Sequence, residues 1–184
     1  MSQPVAVTVA LGGPIGVGKT TVARALATRL GVSVISVGGV FRELARRRGI
    51  SVVELNRLAE TDPTIDRDID RLQAEMARVA PCVVESRLSG WMVNADLKVW
   101  LDAPLEIRAA RVAGREGQGS VAARDELLAR EQSEWSRYKS LYGIDMTDRM
   151  PFHLTIDTSR WDYEIIVEVL ERLARSIRAG SHTR

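Results

Sequence analysis

Eight consecutive residues, Gly13-Pro14-Ile15-Gly16-Val17-Gly18-Lys19-Thr20, are spaced to hold the phosphates of a nucleotide. They fit the pattern G-x-x-x-x-G-K-[ST], and Thr21 follows. The glycines let the backbone wrap so that its N–H groups point at phosphate oxygens, and a helix starting there adds its positive end. Lys19 would reach the β- and γ-phosphates, and Thr20 would hold Mg²⁺. The segment lies between an apolar run and a helical pattern, the context that separates a phosphate loop from a glycine-rich turn without a ligand.

Four further places carry groups that such a loop would need. Ser36 to Arg42 opens a helix and sets Arg42 in its first two turns, where a cation is unfavourable unless an anion joins it. Alone Arg42 reads as a solvated arginine; beside a phosphate loop it is a candidate for a second phosphate. Glu85-Ser86-Arg87 follows the apolar Cys82-Val83-Val84. An acid there is placed as a metal-side carboxylate, with Arg87 at the mouth of the cleft; an exposed salt bridge is the plainer alternative. Arg108, Arg111 and Arg115 share a helix face at spacings of three and four, and like charges so placed repel by a few tenths of a kcal/mol per pair. Either Glu116 and its neighbours compensate them, or a polyphosphate does. Arg130, Glu134 and Arg137 lie at i, i+4 and i+7 on one face, with Glu131 beside them. They read as surface ion pairs or as part of a lid that closes on phosphates, its acid orienting an arginine or reading a base. The break at Gly117 to Ser120 would let such a lid move.

These groups must be held by an alternation of strands and helices. Apolar or β-branched runs at Val5 to Leu11, Val32 to Val37, Cys82 to Glu85, Leu97 to Leu101 and His153 to Asp157 read as strands. Helices are expected over Thr20 to Leu30, Val40 to Arg48, Ser51 to Thr61 and Asp66 to Val79. Three more are expected from Pro104 to near Gly114, from Val121 to Tyr142 and from Asp162 to Ala179. Ser51 and Glu54 have capping-box spacing, and Pro63 interrupts. Strands joined by helices imply an α/β fold, a five-stranded parallel sheet flanked by helices, with ligands bound beyond the carboxyl ends of the strands.

The composition, 45% apolar and 27% charged, is that of one soluble globular domain. One cysteine, Cys82, excludes a disulfide framework and any multi-cysteine metal site. No run reaches membrane-spanning length, and the first ten residues lack the basic stretch of a secretion signal, so the cytoplasm is the default and no membrane partner is expected. The 26 basic residues comprise 23 Arg and 3 Lys, interspersed with 24 acids, so charge alone does not indicate nucleic-acid binding. His153 and His182 have no evident catalytic partner, and Trp91 and Trp100 read as core.

From Val5 to about Leu173 the chain resembles the nucleoside monophosphate kinases, most closely the short archaeal-type cytidylate kinases. The phosphate loop, Phe41-Arg42-Glu43-Leu44-Ala45, Asp62-Pro63-Thr64-Ile65-Asp66, Glu85 to Met92, Asp96 to Leu101, Arg130 to Tyr138, Tyr142-Gly143-Ile144-Asp145 and Ile156-Asp157-Thr158-Ser159 carry the resemblance. It implies a P-loop NTP-binding fold in one kinase domain, with NMP-binding helices at about 38–80 and a lid at about 114–137. It implies Mg²⁺-dependent transfer of the ATP γ-phosphoryl group to CMP or dCMP by a monomer. The ATP would lie on Gly13 to Thr21. Ser36, Arg42, Arg87, Arg130, Glu134 and Arg137 would bind the acceptor, Thr20 and Glu85 would hold the metal, and Lys19, Arg111, Arg115 and Arg130 would act in catalysis. Ser86 departs from the family, where glycine precedes the arginine; a side chain there could crowd the acceptor phosphate, or its hydroxyl could donate to it. The alternatives are a UMP or AMP kinase, a shikimate- or gluconate-type kinase, which would not need the 130–137 face, and a non-catalytic nucleotide switch.

Overall fold

The computed structural model describes residues 7–117 and 120–180. The start of the first expected strand, Gln118 and Gly119 of the expected break, and His182 lie outside the described residues. Five strands, β1 (Val9–Gly12), β2 (Ser33–Ser36), β3 (Cys82–Glu85), β4 (Leu97–Asp102) and β5 (Leu154–Asp157), form one sheet in the order β2-β3-β1-β4-β5. Every pairing is parallel. Parallel strands need crossover helices, and both faces of the sheet are then covered, which is why β1 and β3 are apolar and buried at almost every position.

The helices are α1 (Lys19–Leu30), α2 (Val37–Arg47), α3 (Val52–Thr61), α4 (Thr64–Val79), α5 (Ser89–Met92), α6 (Leu105–Glu116), α7 (Ser120–Tyr142) and α8 (Tyr163–Gly180). Helices α1 and α8 pack on one face, where Leu11, Val22, Leu26, Leu101, Ile166 and Leu170 make the main core. A second cluster holds Leu88, Trp100, Tyr138, Met146 and Phe152, with Trp91 edge-on to both Trp100 and Phe152, so the two expected core tryptophans are core. Helices α2, α3 and α4 share a small core of their own around Ala45, Leu55, Ala59, Ile65 and Ile69.

Two boundaries differ from expectation for local reasons. Helix α2 starts at Val37, three residues early, because the Ser36 hydroxyl caps it by accepting from the Gly39 N–H at 3.1 Å. Helix α4 starts at Thr64 rather than Asp66, because Pro63 takes the cap position. The Ser51–Glu54 capping box is formed at α3. The single turn α5 had no sequence expectation.

Candidate active site

The carboxyl ends of β1, β2 and β3 open on a cleft of about 900 Å³. The register of the sheet builds its floor, since Ser36 pairs with Glu85 across β2–β3 and Leu11 with Glu85 across β1–β3. The loop after β1 wraps as its glycines allow. Gly13 and Gly16 have φ of 142° and 77°, and a Cβ at either would strike the backbone of Leu101 or Arg108.

Lys19 folds back under this loop. Its Nζ donates to the carbonyls of Gly13 at 2.8 Å and Pro14 at 2.7 Å. Burial, and then the charge of Arg87, pull its pKa down to about 7 against the attraction of Glu85, Glu134 and Glu131. An anion in the cleft would restore its charge. Thr20 Oγ1 donates to Glu85 Oε1 at 2.9 Å, and the Ser36 hydroxyl donates to the same oxygen. This small set of hard oxygens suits Mg²⁺, which takes one or two protein oxygens and keeps its waters and substrate phosphates. Among the described residues no cluster of three or more His, Cys, Asp or Glu offers an all-protein metal cage.

A crowd of guanidinium groups shares the cleft with the loop. Arg42, Arg87, Arg111, Arg115 and Arg130 all line the cleft. Partial burial, then the charges of Arg115, Arg130 and Arg87, hold the Arg42 pKa below its ordinary value, with Glu85 opposing. Arg130 approaches Glu126 at 3.8 Å, but its buried Nε has no hydrogen-bond partner among the described residues. Arg87 Nε donates to Glu134 Oε2 at 2.7 Å. Burial pushes the Glu134 carboxyl up, but Arg87, Arg130 and Arg137 outweigh it and hold it below the usual range. Arg111 donates to the Thr158 carbonyl and hydroxyl at 2.8 and 2.9 Å, and that hydroxyl donates to Val17 O, tying the loop after β5 to the phosphate loop.

The expected triad on α7 divides its work. Arg137 reaches two other helices, donating to Asp66 Oδ2 on α4 at 2.6 Å and Asn56 Oδ1 on α3 at 3.2 Å, and also bonds Ser133 Oγ on its own helix at 2.7 Å. Glu134 takes its hydrogen bond from Arg87, after β3. Ser86 does not crowd the cleft: its hydroxyl turns to Gln73 Oε1 at 2.8 Å.

Arg108 does not join the cleft arginines, despite sharing their helix face. It is buried, donating to Ala103 O, Ile15 O and, at 2.6 Å, Glu131 Oε1. Its compensating anion is therefore Glu131, which also accepts from the Ile15 N–H at 2.8 Å. Breaking a buried pair by removing one partner leaves an uncompensated charge. Glu131→Ala is expected to cost about 3–5 kcal/mol, on the order of 10 °C in Tm, read by thermal unfolding. A shift under about 2 °C would make the pair dispensable.

Sequence reasoning missed Asp66, Asp70 and Gln73, all buried on α4. Their spacing of four and three marks one helix face, and polar residues on the side of Ile65 and Ile69 were the available signal.

Residues 8–160 match the cytidylate kinase-like family. A cytidylate kinase of Halobacterium salinarum is 46% identical over 165 residues, covering 88% of this chain and 86% of the relative. One of Methanocella arvoryzae is 46% identical over 173 residues, 91% and 99% of the two chains. Among solved structures, a shikimate kinase from Bacteroides thetaiotaomicron matches with TM-score 0.62 at 18% identity, over 92% of this chain and 98% of that one. A gluconokinase from Sinorhizobium meliloti matches with TM-score 0.63 at 19% identity, over 98% of this chain and all of that one, with 100% covered. At such identities the likeness is of fold alone: a P-loop kinase architecture.

Proposed function

The chain belongs to the cytidylate kinase-like family, and from that premise we propose that it is a cytidylate kinase, transferring the γ-phosphoryl group of ATP to CMP or dCMP. The observation that carries the reading is that Arg42, Arg87, Arg115 and Arg130 line one cleft together with the phosphate loop. A cleft that only held ATP would need the loop; this one has charge for a second phosphate.

In this reading the loop from Gly13 to Thr21 holds the ATP phosphates, and Lys19 follows the γ-phosphoryl group as it moves. Thr20 and Glu85 would hold Mg²⁺, which when bound would supply positive charge to offset that of the transferring phosphates. Ser36, Arg42, Arg87, Arg130, Glu134 and Arg137 form the acceptor side, Glu134 acting by fixing the Arg87 guanidinium. An oxygen of the acceptor phosphate attacks the γ-phosphorus in line, the bond to the β–γ bridging oxygen breaks, and ADP leaves with that oxygen. Arg111, Arg115 and Arg130 stabilise the charge that spreads over the transferred group. No covalent enzyme intermediate is needed, so positioning and charge are the whole contribution.

Residues 38–80 act as the acceptor-binding unit and 114–137 as the lid of one monomeric domain in the cytoplasm, with neither nucleic acid nor membrane as partner. Among the described residues no helix is long and apolar enough to cross a membrane. The test is an acceptor screen following ADP release with CMP, dCMP, UMP, AMP and small hydroxy-acids. Turnover is expected to be fastest with CMP or dCMP; faster turnover with AMP or a hydroxy-acid would overturn the reading. The arginine set, whose positive charge exceeds that of the acids lining the same cleft, favours an anionic acceptor over an uncharged one.

A further inference from the structure

The cleft contains a buried line of polar side chains that phosphoryl transfer does not use. The Leu88 N–H donates to Ser86 Oγ at 3.1 Å, and the Ser86 hydroxyl donates to Gln73 Oε1 at 2.8 Å. Gln73 Nε2 then donates to Asp70 Oδ1 at 2.7 Å, while the Tyr142 hydroxyl donates to Asp70 Oδ2 at 2.9 Å. Each link fixes the next. With its hydroxyl proton pointed at Gln73, Ser86 makes Gln73 turn its amide N–H₂ toward Asp70, so both Asp70 oxygens face donors.

Asp70 itself is 9% exposed and lines the cleft with Ser86, Glu134, Arg137 and Tyr138. A buried carboxylate is expensive without a cation, and the nearby Arg137 is already held by Asp66 at 2.6 Å. Three other acids line the cleft. Glu85 is held by Thr20 and Ser36, Glu134 by Arg87, and Asp162 is exposed. Asp70 and Glu85 are thus the buried acids there with no guanidinium hydrogen-bonded to them among the described residues; Glu85 is tied to Thr20 of the phosphate loop, which leaves Asp70, each of whose oxygens keeps a lone pair. The line also has a direction: Ser86 is the chain neighbour of Arg87, so it runs from the phosphate end of the acceptor side to Asp70.

Resting on the cytidylate reading of this cleft, we propose that Asp70 is a specificity-determining residue that accepts a hydrogen bond from the 4-amino group of the acceptor's cytosine, with Gln73, Ser86 and Tyr142 as positioning residues. Cytosine offers an N–H donor at that position. Uracil offers a carbonyl oxygen, which would face a carboxylate with no proton between them. A site built on one hydrogen-bond pattern rejects an analogue that leaves its buried groups unpaired. Ser86 thereby acquires a use: its hydroxyl adds the link that a glycine at this position could not supply.

Burial pushes the Asp70 carboxyl up to about 7, with Asp66 adding to the effect and Tyr142, Gln73 and Arg137 opposing it, so assays at pH 8 keep it ionised. At that pH, kcat/KM is compared for CMP, UMP and the CMP analogue lacking the 4-amino group, in the wild type, Asp70→Asn and Tyr142→Phe. The wild type is expected to prefer CMP over the analogue lacking the 4-amino group by about 10²-fold or more. Asp70→Asn should bring that ratio, and the CMP/UMP ratio, down at least about tenfold with an unchanged KM for ATP, and Tyr142→Phe should fall between. Unchanged ratios in Asp70→Asn would overturn the proposal. Should that variant not fold, equal kcat/KM for CMP and the analogue lacking the 4-amino group in the wild type, or unshifted ratios in Tyr142→Phe, would overturn it. A wild type that prefers AMP or a hydroxy-acid brings down the cytidylate reading as well, whereas CMP selectivity that survives Asp70→Asn brings down this proposal alone.

Discussion

Lys19→Met is expected to lower kcat by roughly 10²–10³-fold, about 3–4 kcal/mol of transition-state stabilisation, while the protein stays folded. The lysine sits under the loop on the carbonyls of Gly13 and Pro14, buried, with its pKa near 7. Methionine matches its length, and the carbonyls of Gly13 and Pro14 each lose one hydrogen bond, worth about 1 kcal/mol apiece. The change in Tm should therefore stay within about 8 °C. The same geometry gives a signature in the wild type. With burial holding the lysine pKa near 7 and bound phosphate raising it, ATP binding at pH 8 should take up protons. Calorimetry in buffers of different ionisation enthalpy reads that uptake, which should vanish in Lys19→Met. A folded variant with wild-type turnover would remove Lys19 from the chemistry.

Arg87→Ala is expected to raise the KM for CMP by about 10²-fold and to leave ATP affinity nearly unchanged. Two losses combine. The acceptor phosphate loses a charged donor, and Glu134, whose side chain is 11% exposed, loses the guanidinium that keeps it charged in a buried place. Arg42→Ala should act in the same direction but more weakly, about tenfold, because Arg42 lies exposed at the rim, where water screens the interaction. Titrations with each nucleotide separate the halves of the cleft. If ATP weakens and CMP does not, these arginines belong to the donor side.

How much of this was legible in the sequence depended on how local each feature is. The phosphate loop is contiguous, and its glycines and lysine carry their own backbone requirements, so it could be read from spacing alone. Glu85 and Arg87 were legible because a parallel sheet gathers whatever follows each strand. Ser36 meeting Glu85 follows from the β2–β3 register, which no local pattern displays. Arg108 shows the limit of helical spacing. Periodicity says which residues share a face, but Arg108 is drawn inward by an acid 23 positions away. The line through Asp70 was illegible for the same reason: Tyr142 is 72 positions from Asp70, and a buried aspartate looks like any surface acid until its partners fold against it.

Helix α7 carries both sides of the cleft on one rigid rod. Glu131 grips the Ile15 N–H of the phosphate loop, and Glu134, less than one turn on, grips Arg87 on the acceptor side. The rod cannot settle around one nucleotide without shifting the grip on the other. In the proposed reading, the two substrates therefore carry a shared coupling free energy. Reciprocity then requires that the factor by which a non-transferable ATP analogue tightens CMP equal the factor by which CMP tightens that analogue. Cutting the rod's hold on the loop, by Glu131→Gln, should drive both factors toward one together. In that reading, substrate synergy is a mechanical property of a single helix rather than of either pocket.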